Sequence, residues 1–447
     1  MNRIIYIFVI IAIFNTPSIV LAVEEPELYK VAETFIDLLS QRNFEQAANA
    51  FDNKVKQLLP PEKLQEAWES VIRANGALKN RTVNRFEKAR GFEVIYITCE
   101  FERANLDAKV VFDESKKIAG LIFLDSDKPK KFVYLPPSYA DTSKFSDQEV
   151  TIGTGAWKLP GTLTIPQGTG SFPLLILVHG SGPQDRDETI GPNKPFCDLA
   201  GGLGTKGIAT LRYEKRTRHY GQAMAKLKNE ITVNEETVQD AIEAVKTAHK
   251  ISKIDPKKIF LLGHSLGGNL VPRIAQKDPS INGFIIMAGY CRPFEDLILA
   301  QMKYIFSLDS HPSEEKKKYL QRLEEQVALV KSNNLKKNTP AEKLPLEINA
   351  NYWLDLRGYA PEKVAATINR PFFVIQGGRD YQVTSEDFGI WQSALLSHSN
   401  ATFKLYPTLN HIFIHGNEKA TPSDYDKPGH FFEPVITDIA NWIKSAK

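Results

Sequence analysis

Apolar positions along the chain change their period twice. Over 29–41, 44–51 and 61–75 they recur at helical spacing, which predicts helices that each bury one face. Over 92–101, 106–113 and 117–124 they alternate with polar residues or run together between turn residues, which predicts antiparallel strands packed on those helices. Residues 23–125 therefore read as a small α+β domain. Residues 126–148 are polar and proline-bearing, with Lys128-Pro129-Lys130-Lys131 and Pro136-Pro137-Ser138, the composition of a linker. From 149 to 447 short apolar runs alternate with amphipathic stretches. Strands are expected at 161–165, 174–178, 208–213, 259–262, 284–287, 372–376 and 402–406, and helices at 193–206, 233–251, 266–276, 385–396 and 431–444. That alternation is the signature of an α/β fold built on a mostly parallel, doubly wound sheet. A charge-rich helical insertion at about 293–365 is too long for a simple connection and is expected to cap the site.

The first residues have a different pattern. In 1–22 a single charge, Arg3, precedes an apolar run from Ile4 to Phe14, and Val20-Leu21-Ala22 places small residues where a signal peptidase reads. This predicts a cleaved signal peptide and a periplasmic or extracellular product. The run is shorter than the ~20 residues that span a bilayer, and no cysteine follows it, so no stable membrane anchor is expected. Apolar residues make up 42% of the chain, enough to build cores for two domains. The formal charge of +3 drops to +2 without Arg3, and near-neutrality argues against nucleic acid as a partner. Cys99, Cys197 and Cys291 cannot all pair within one chain; Cys99 falls in a strand-like stretch and Cys197 in a helix-like one, so buried free thiols are expected. No cysteine or histidine spacing suggests zinc, and neither a metal nor a cofactor is expected.

The chemistry concentrates where an apolar strand stops at Gly263-His264-Ser265-Leu266-Gly267-Gly268. This fits the G-x-S-x-G elbow, in which flanking glycines let the chain turn sharply and hold a serine exposed between a strand and a helix. A five-residue pattern alone is weak, but strand before, helix after and a further glycine at 268 are separate requirements. The amide of Leu266 is the expected first oxyanion donor. After the apolar run 174–178, His179-Gly180-Ser181-Gly182-Pro183 has the place of the loop that supplies the second donor, from Ser181 or from Gly182. A serine needs an imidazole, and the imidazole a carboxylate, in the chain order Ser, acid, His. Asp380 stands at the carboxyl end of the strand 372–376, ahead of Asp355 and Asp387 as the acid. His411, in the loop after the last strand, is the base, with His415 its main rival and His430 at the start of the terminal helix. His264 is expected to pack against a neighbouring loop.

With Ser265, Asp380 and His411 in place, the chain resembles the α/β-hydrolase superfamily and, more narrowly, the EstD-type bacterial carboxylesterases. The resemblance covers the loop from His179 through Gln184-Asp185-Arg186-Asp187-Glu188, the segment Arg212-Tyr213-Glu214-Lys215-Arg216, the elbow, the turn Gly377 to Asp380 and the His411 loop, and extends to the N-terminal domain. The family usually carries Asp where Glu214 stands, a change that preserves charge. The resemblance implies an α/β-hydrolase fold with a helical cap, and hydrolysis of small-molecule carboxylic esters of short to medium acyl chain. A serine peptidase has the same elbow and differs in how its pocket holds an amine. A non-catalytic binding protein would be expected to lose a triad member, and none is lost. If the export signal is cleaved as expected, mass spectrometry of protein from an export-competent host finds Val23 at the mature N-terminus; full-length chain confined to the membrane fraction excludes it.

Overall fold

Apolar side chains gather separately in two units, Met1–Phe132 and Val133–Lys447, of a computed structural model that describes residues 6–8, 26–89, 92–126, 134–227, 230–310 and 312–446. In the first unit the strand β1 (Tyr6–Phe8) is followed by helices α1 (Pro26–Ser40), α2 (Phe44–Ala48), α3 (Asn53–Leu58) and α4 (Pro61–Asn75). Strands β2 (Leu78–Ala89), β3 (Phe92–Phe101), β4 (Asn105–Phe112) and β5 (Ile118–Asp125) complete it. The sheet is antiparallel, in the order β1-β5-β4-β3-β2. Pro61 opens α4, where its missing amide hydrogen costs nothing, and Gly76 ends it with a φ of 81°. The α1 face of Leu28, Ala32, Phe35, Ile36 and Leu39 meets the β3 face of Ile95, Ile97, Cys99 and Phe101. Trp68 of α4 lies between the rings of Phe101 and Phe123, 5.9 and 5.8 Å away.

The strand β2 has no counterpart among the expected elements. Its Lys79, Asn80 and Thr82 are exposed and its Leu78, Arg81 and Val83 only half-buried, so this edge strand lacks the apolar alternation that marks a core strand. Within the expected export signal, Tyr6–Phe8 pair with β5, Tyr6 opposite Phe123. The cleavage position itself lies outside the described residues.

In the second unit the strands are β6 (Phe145–Ile152), β7 (Leu159–Pro166), β8 (Phe172–Val178), β9 (Ala209–Tyr213), β10 (Ile254–His264), β11 (Gly283–Met287), β12 (Phe372–Gly377) and β13 (Ala401–Tyr406). They order as β13-β12-β11-β10-β8-β9-β7-β6. All neighbours from β9 to β13 pair in parallel, while β7 and β6 run antiparallel at one edge. The linker expected over 126–148 is therefore shorter, because 145–148 belong to β6. That strand faces solvent along most of its length and carries polar residues, so its composition mimics a linker.

The helices of this unit are α5 (Pro195–Thr205), α6 (Arg216–His219), α7 (Gly221–Lys226), α8 (Gln239–Ala248), α9 (Leu266–Lys277), α10 (Phe294–Ser307), α11 (Glu314–Lys331), α12 (Ala350–Leu356), α13 (Pro361–Ala365), α14 (Ser385–Ala394) and α15 (Glu433–Ser445). One sheet face packs on α8 and α9 through Ala241, Val245, Leu270 and Ile274. The other packs on α5 and α15 through Phe196, Leu199, Leu203, Val435, Ile436 and Ile439. With both faces covered, the central strands are apolar throughout. The insertion between β11 and β12 contains α10 to α13. Trp353 is fully buried there and stacks on Phe294 at 5.6 Å, and the Trp353 indole donates to the Ile348 carbonyl at 3.2 Å.

Cys99, Cys197 and Cys291 are free, with Cys99 and Cys291 buried and Cys197 half-buried. Burial pushes the Cys99 thiol up to about 12, which keeps it protonated and inert. Among the described residues no helix is long and apolar enough to cross a membrane. Removing the ring that fills the first core should be costly: Trp68→Ala is expected to destabilise this unit by about 3 to 5 kcal/mol, measured by chemical denaturation.

Candidate active site

Between β10 and α9 stands one residue, Ser265, with a φ of 52° and a ψ of −114° that strain any residue bearing a side chain. The turn closes only around glycine. A Cβ on Gly263 would lie 2.3 Å from the Gly267 carbonyl oxygen, and one on Gly267 2.4 Å from that of Val178. The Ser265 amide donates to the Met287 carbonyl at 3.0 Å, which pins the elbow to β11. Leu266 is the first residue of α9, so its amide is among the helix donors with no intrahelical acceptor, at the positive end of the helix.

The loop after β8 runs against the serine: a Cβ on Gly180 would lie 3.2 Å from the Ser265 Cβ. The Gly180 amide donates to Glu188 Oε1 at 2.6 Å and is therefore committed. Ser181, exposed, and Gly182, with a φ of 84°, are the next donors along the loop. Polar contacts hold the loop from beneath. Lys215 Nζ donates to the Gly180 carbonyl at 2.7 Å and to Glu236 Oε1 at 2.5 Å, and the Tyr352 hydroxyl donates to Glu236 Oε2 at 2.7 Å. Arg212 pairs with Asp187 and, at 2.9 Å, with Asp147, while Arg186 Nε donates to Glu214 Oε1 at 3.0 Å. The His179–Glu188 loop and the Arg212–Arg216 segment, far apart in sequence, are thus two halves of one ionic lock. His179 is buried on Phe196 and Tyr213, and burial pushes its pKa down to about 4, so it stays neutral.

On the other side, Asp380 and His411 meet. His411 Nδ1 lies 2.7 Å from Asp380 Oδ2, and the Asp380 side chain has no exposure. Asp380 Oδ1 accepts from the amides of Gln382 at 2.7 Å and Val383 at 3.0 Å, and Gln376 Nε2 donates to Oδ2 at 3.2 Å. A carboxylate so surrounded by donors takes a proton-bearing Nδ1 from His411 and leaves Nε2 as the lone-pair nitrogen. Close approach of the two loops needs Gly377, where a Cβ would lie 2.5 Å from the Leu409 carbonyl oxygen. Asn410 Oδ1 accepts from the amides of Ile412 at 3.1 Å and Ile414 at 3.0 Å, which shapes the loop that carries His411.

The rival residues are engaged elsewhere. Asp387 is fully buried against the Arg292 guanidinium and the amides of Cys291 and Arg292, and Asp355 pairs with Arg273 at 2.6 Å. His415 is exposed beside Phe432, and His430 Nδ1 lies 3.3 Å from Asp198. His264 packs against a neighbouring loop, but through charge: its Nδ1 lies 2.9 Å from Glu188 Oε2 and its Nε2 2.9 Å from the His411 carbonyl. Glu188, Lys215, Glu236 and Gln376 were not legible as site residues. Glu188 and Lys215 stand inside motif segments, yet nothing in their spacing shows that their charges point inward.

A family model described as "Serine aminopeptidase, S33" matches residues 194–419, and one described as a protein of unknown function, DUF3887, matches residues 32–121. Esterase EstD of Thermotoga maritima is 37% identical over 414 residues, 92% of this chain and 93% of that protein. Among solved structures, Est1E from Butyrivibrio proteoclasticus aligns with a TM-score of 0.43 and 16% identity, over 66% of this chain and 99% of that one. The Pyrococcus furiosus esterase PF2001 aligns at 0.42 and 16%, over 70% of this chain and 96% of that one. The fold and the elbow define a hydrolase of the α/β-hydrolase class. Within that class, the chain belongs to the family of Esterase EstD.

Beneath the loop, Lys215→Ala would strand the Glu236 carboxylate in the interior. The expected loss is about 3 to 5 kcal/mol of stability, seen as a lowered denaturation midpoint.

Proposed function

We propose that this protein hydrolyses carboxylic esters of short to medium acyl chain through an acyl-enzyme on Ser265, with His411 as base and Asp380 as its orienting acid. The observation that carries the reading is the buried Asp380–His411 hydrogen bond at the same end of the sheet as the strained Ser265 turn. The 37% identity to Esterase EstD supports ester as the substrate class.

In this mechanism Ser265 Oγ attacks the ester carbonyl carbon while His411 Nε2 takes its proton, and Asp380 stabilises the imidazolium. The oxyanion is met by the Leu266 amide and by that of Ser181 or Gly182; one such donor is worth about 3 to 4 kcal/mol of transition-state stabilisation. The departing alkoxide takes the proton from His411 and leaves as an alcohol. Water, deprotonated by His411, then attacks the acyl-enzyme, and the carboxylic acid leaves as Ser265 regains its proton. The preference for shorter acyl chains is supported by the reach of the helical insertion to the Asp380 loop: the Tyr304 hydroxyl of α10 donates to the Ala420 carbonyl at 2.9 Å, and its ring stacks 5.0 Å from Tyr381, next to Asp380. The export signal expected over 1–22 supports a periplasmic or extracellular site of action.

The match to the serine aminopeptidase model favours one second reading, cleavage of an aminoacyl bond by the same residues. A panel of aryl esters from about two to sixteen acyl carbons, run beside aminoacyl arylamides, separates the two. The shorter esters should be the best substrates. Ser265→Ala and His411→Ala should each lose roughly 10⁴- to 10⁶-fold in kcat without unfolding, and His415→Ala should change little. Amide kcat/KM equal to or above that of the best ester selects the peptidase. No serine-dependent turnover of either class, with no covalent organophosphonate label at Ser265, excludes both.

A further inference from the structure

A second imidazole–carboxylate pair lies behind the proposed triad. His264 and Glu188 are both buried, with side chains 3% and 1% exposed, and 2.9 Å apart. The other nitrogen of His264 faces the His411 carbonyl, which can only accept, so Nε2 carries a proton. Nδ1 faces a Glu188 carboxylate whose second oxygen already accepts from the Gly180 amide. Burial disfavours charge on both residues, yet each outweighs that for the other: the Glu188 pKa is held below the usual carboxylate range and that of His264 above the usual histidine range. With Glu188 ionised, both ring nitrogens of His264 are donors and the ring is an imidazolium.

This pair joins three segments that the reaction needs aligned. Glu188 holds the oxyanion loop through Gly180, His264 is the residue before the nucleophile, and the His411 carbonyl is the backbone of the base itself. The His264 and His411 rings lie 4.6 Å apart, centroid to centroid. Other charged or titratable groups around the pair are Asp380 on the β12 loop, His179 at the end of β8, and Lys215, which reaches Gly180 from the end of β9.

We propose that the buried His264–Glu188 ion pair is a positioning device that locks the oxyanion loop to the His411 loop, and that the site loses its alignment when His264 gives up its second proton. The inference rests on the triad reading above and names residues that do not touch the substrate. The sign follows from the two shifts. Because the His264 pKa is raised by folding, its contribution is complete at low pH and disappears as pH rises through the folded value. Because the Glu188 pKa is lowered, its contribution disappears only in acid. The lock is closed between the two, and catalysis should fail on the alkaline side as it opens.

The test is the pH dependence of kcat and KM for the parent, for Glu188→Gln and for Glu188→Gln/His264→Gln. The double variant is neutral at both positions and avoids stranding a buried carboxylate. The parent should show an alkaline fall in kcat. Glu188→Gln, which keeps an acceptor for Gly180 but removes the charge, should move that fall roughly 1 to 3 units towards lower pH. The double variant should lack it and have kcat reduced roughly 10- to 100-fold at the optimum, with KM little changed, as expected of misplacement rather than lost binding. Superimposable alkaline limbs in all three proteins overturn the proposal while leaving the triad intact. Nitrogen-15 NMR of histidine-labelled protein gives an answer that does not depend on activity. A ring signal with both nitrogens protonated near neutral pH, absent from the double variant, supports the pair, and a neutral His264 there overturns it. Failure of the triad reading is recognised separately, by parent activity that survives Ser265→Ala.

Discussion

The candidate site of this protein depends on a steric constraint at one peptide turn. Ser265 holds a left-handed φ because β10 must pass into α9 without a loop, and the backbone atoms of 263, 267 and 178 come so close that no Cβ fits at either flanking glycine. The strain is maintained by the buried parallel strands on both sides of β10. Once that turn exists, the start of α9, the end of β8 and the loops after β12 and β13 all lie at the carboxyl end of the parallel strands, where open α/β sheets carry their sites.

Charge is the second organising element, and it is placed beneath the site rather than in it. Lys215 with Glu236, Arg212 with Asp187, and His264 with Glu188 are each largely buried. A buried ion pair adds little net stability over apolar packing, but leaving one member alone is expensive, so such pairs penalise alternative loop positions strongly. That property suits the oxyanion role proposed for this loop, whose amides would need a fixed aim. It also explains why a long, polar, glycine-bearing loop from His179 to Glu188 has a defined path without a helix or strand to carry it.

Much of this was legible in the chain. The apolar runs at 174–178, 259–262, 284–287 and 372–376 are central strands, and such strands are readable because both their faces are buried. The edge strands β2 and β6 were not legible, since one side of each meets water and their composition is that of a loop. Asp380 and His411 could be chosen by chain order and position at strand ends, and the structure brings them into hydrogen-bonding contact. Gln376, which donates to the Asp380 carboxylate, lies in an apolar strand, where one amide side chain gives no sign of its direction.

By itself the sequence determined the alternation of strands and helices, the glycine pattern that permits the elbow, and the placing of Ser265, Asp380 and His411 at the carboxyl ends of strands, because each is encoded in local spacing and side-chain size. Only the tertiary structure decided which charges meet. Glu188 is 76 residues from His264 and Lys215 is 35 from Gly180, and those separations are closed by the crossovers of a parallel sheet. Two residues joined that way need share no spacing, so their pairing follows from how the sheet stacks its strands and from nothing in the neighbourhood of either one.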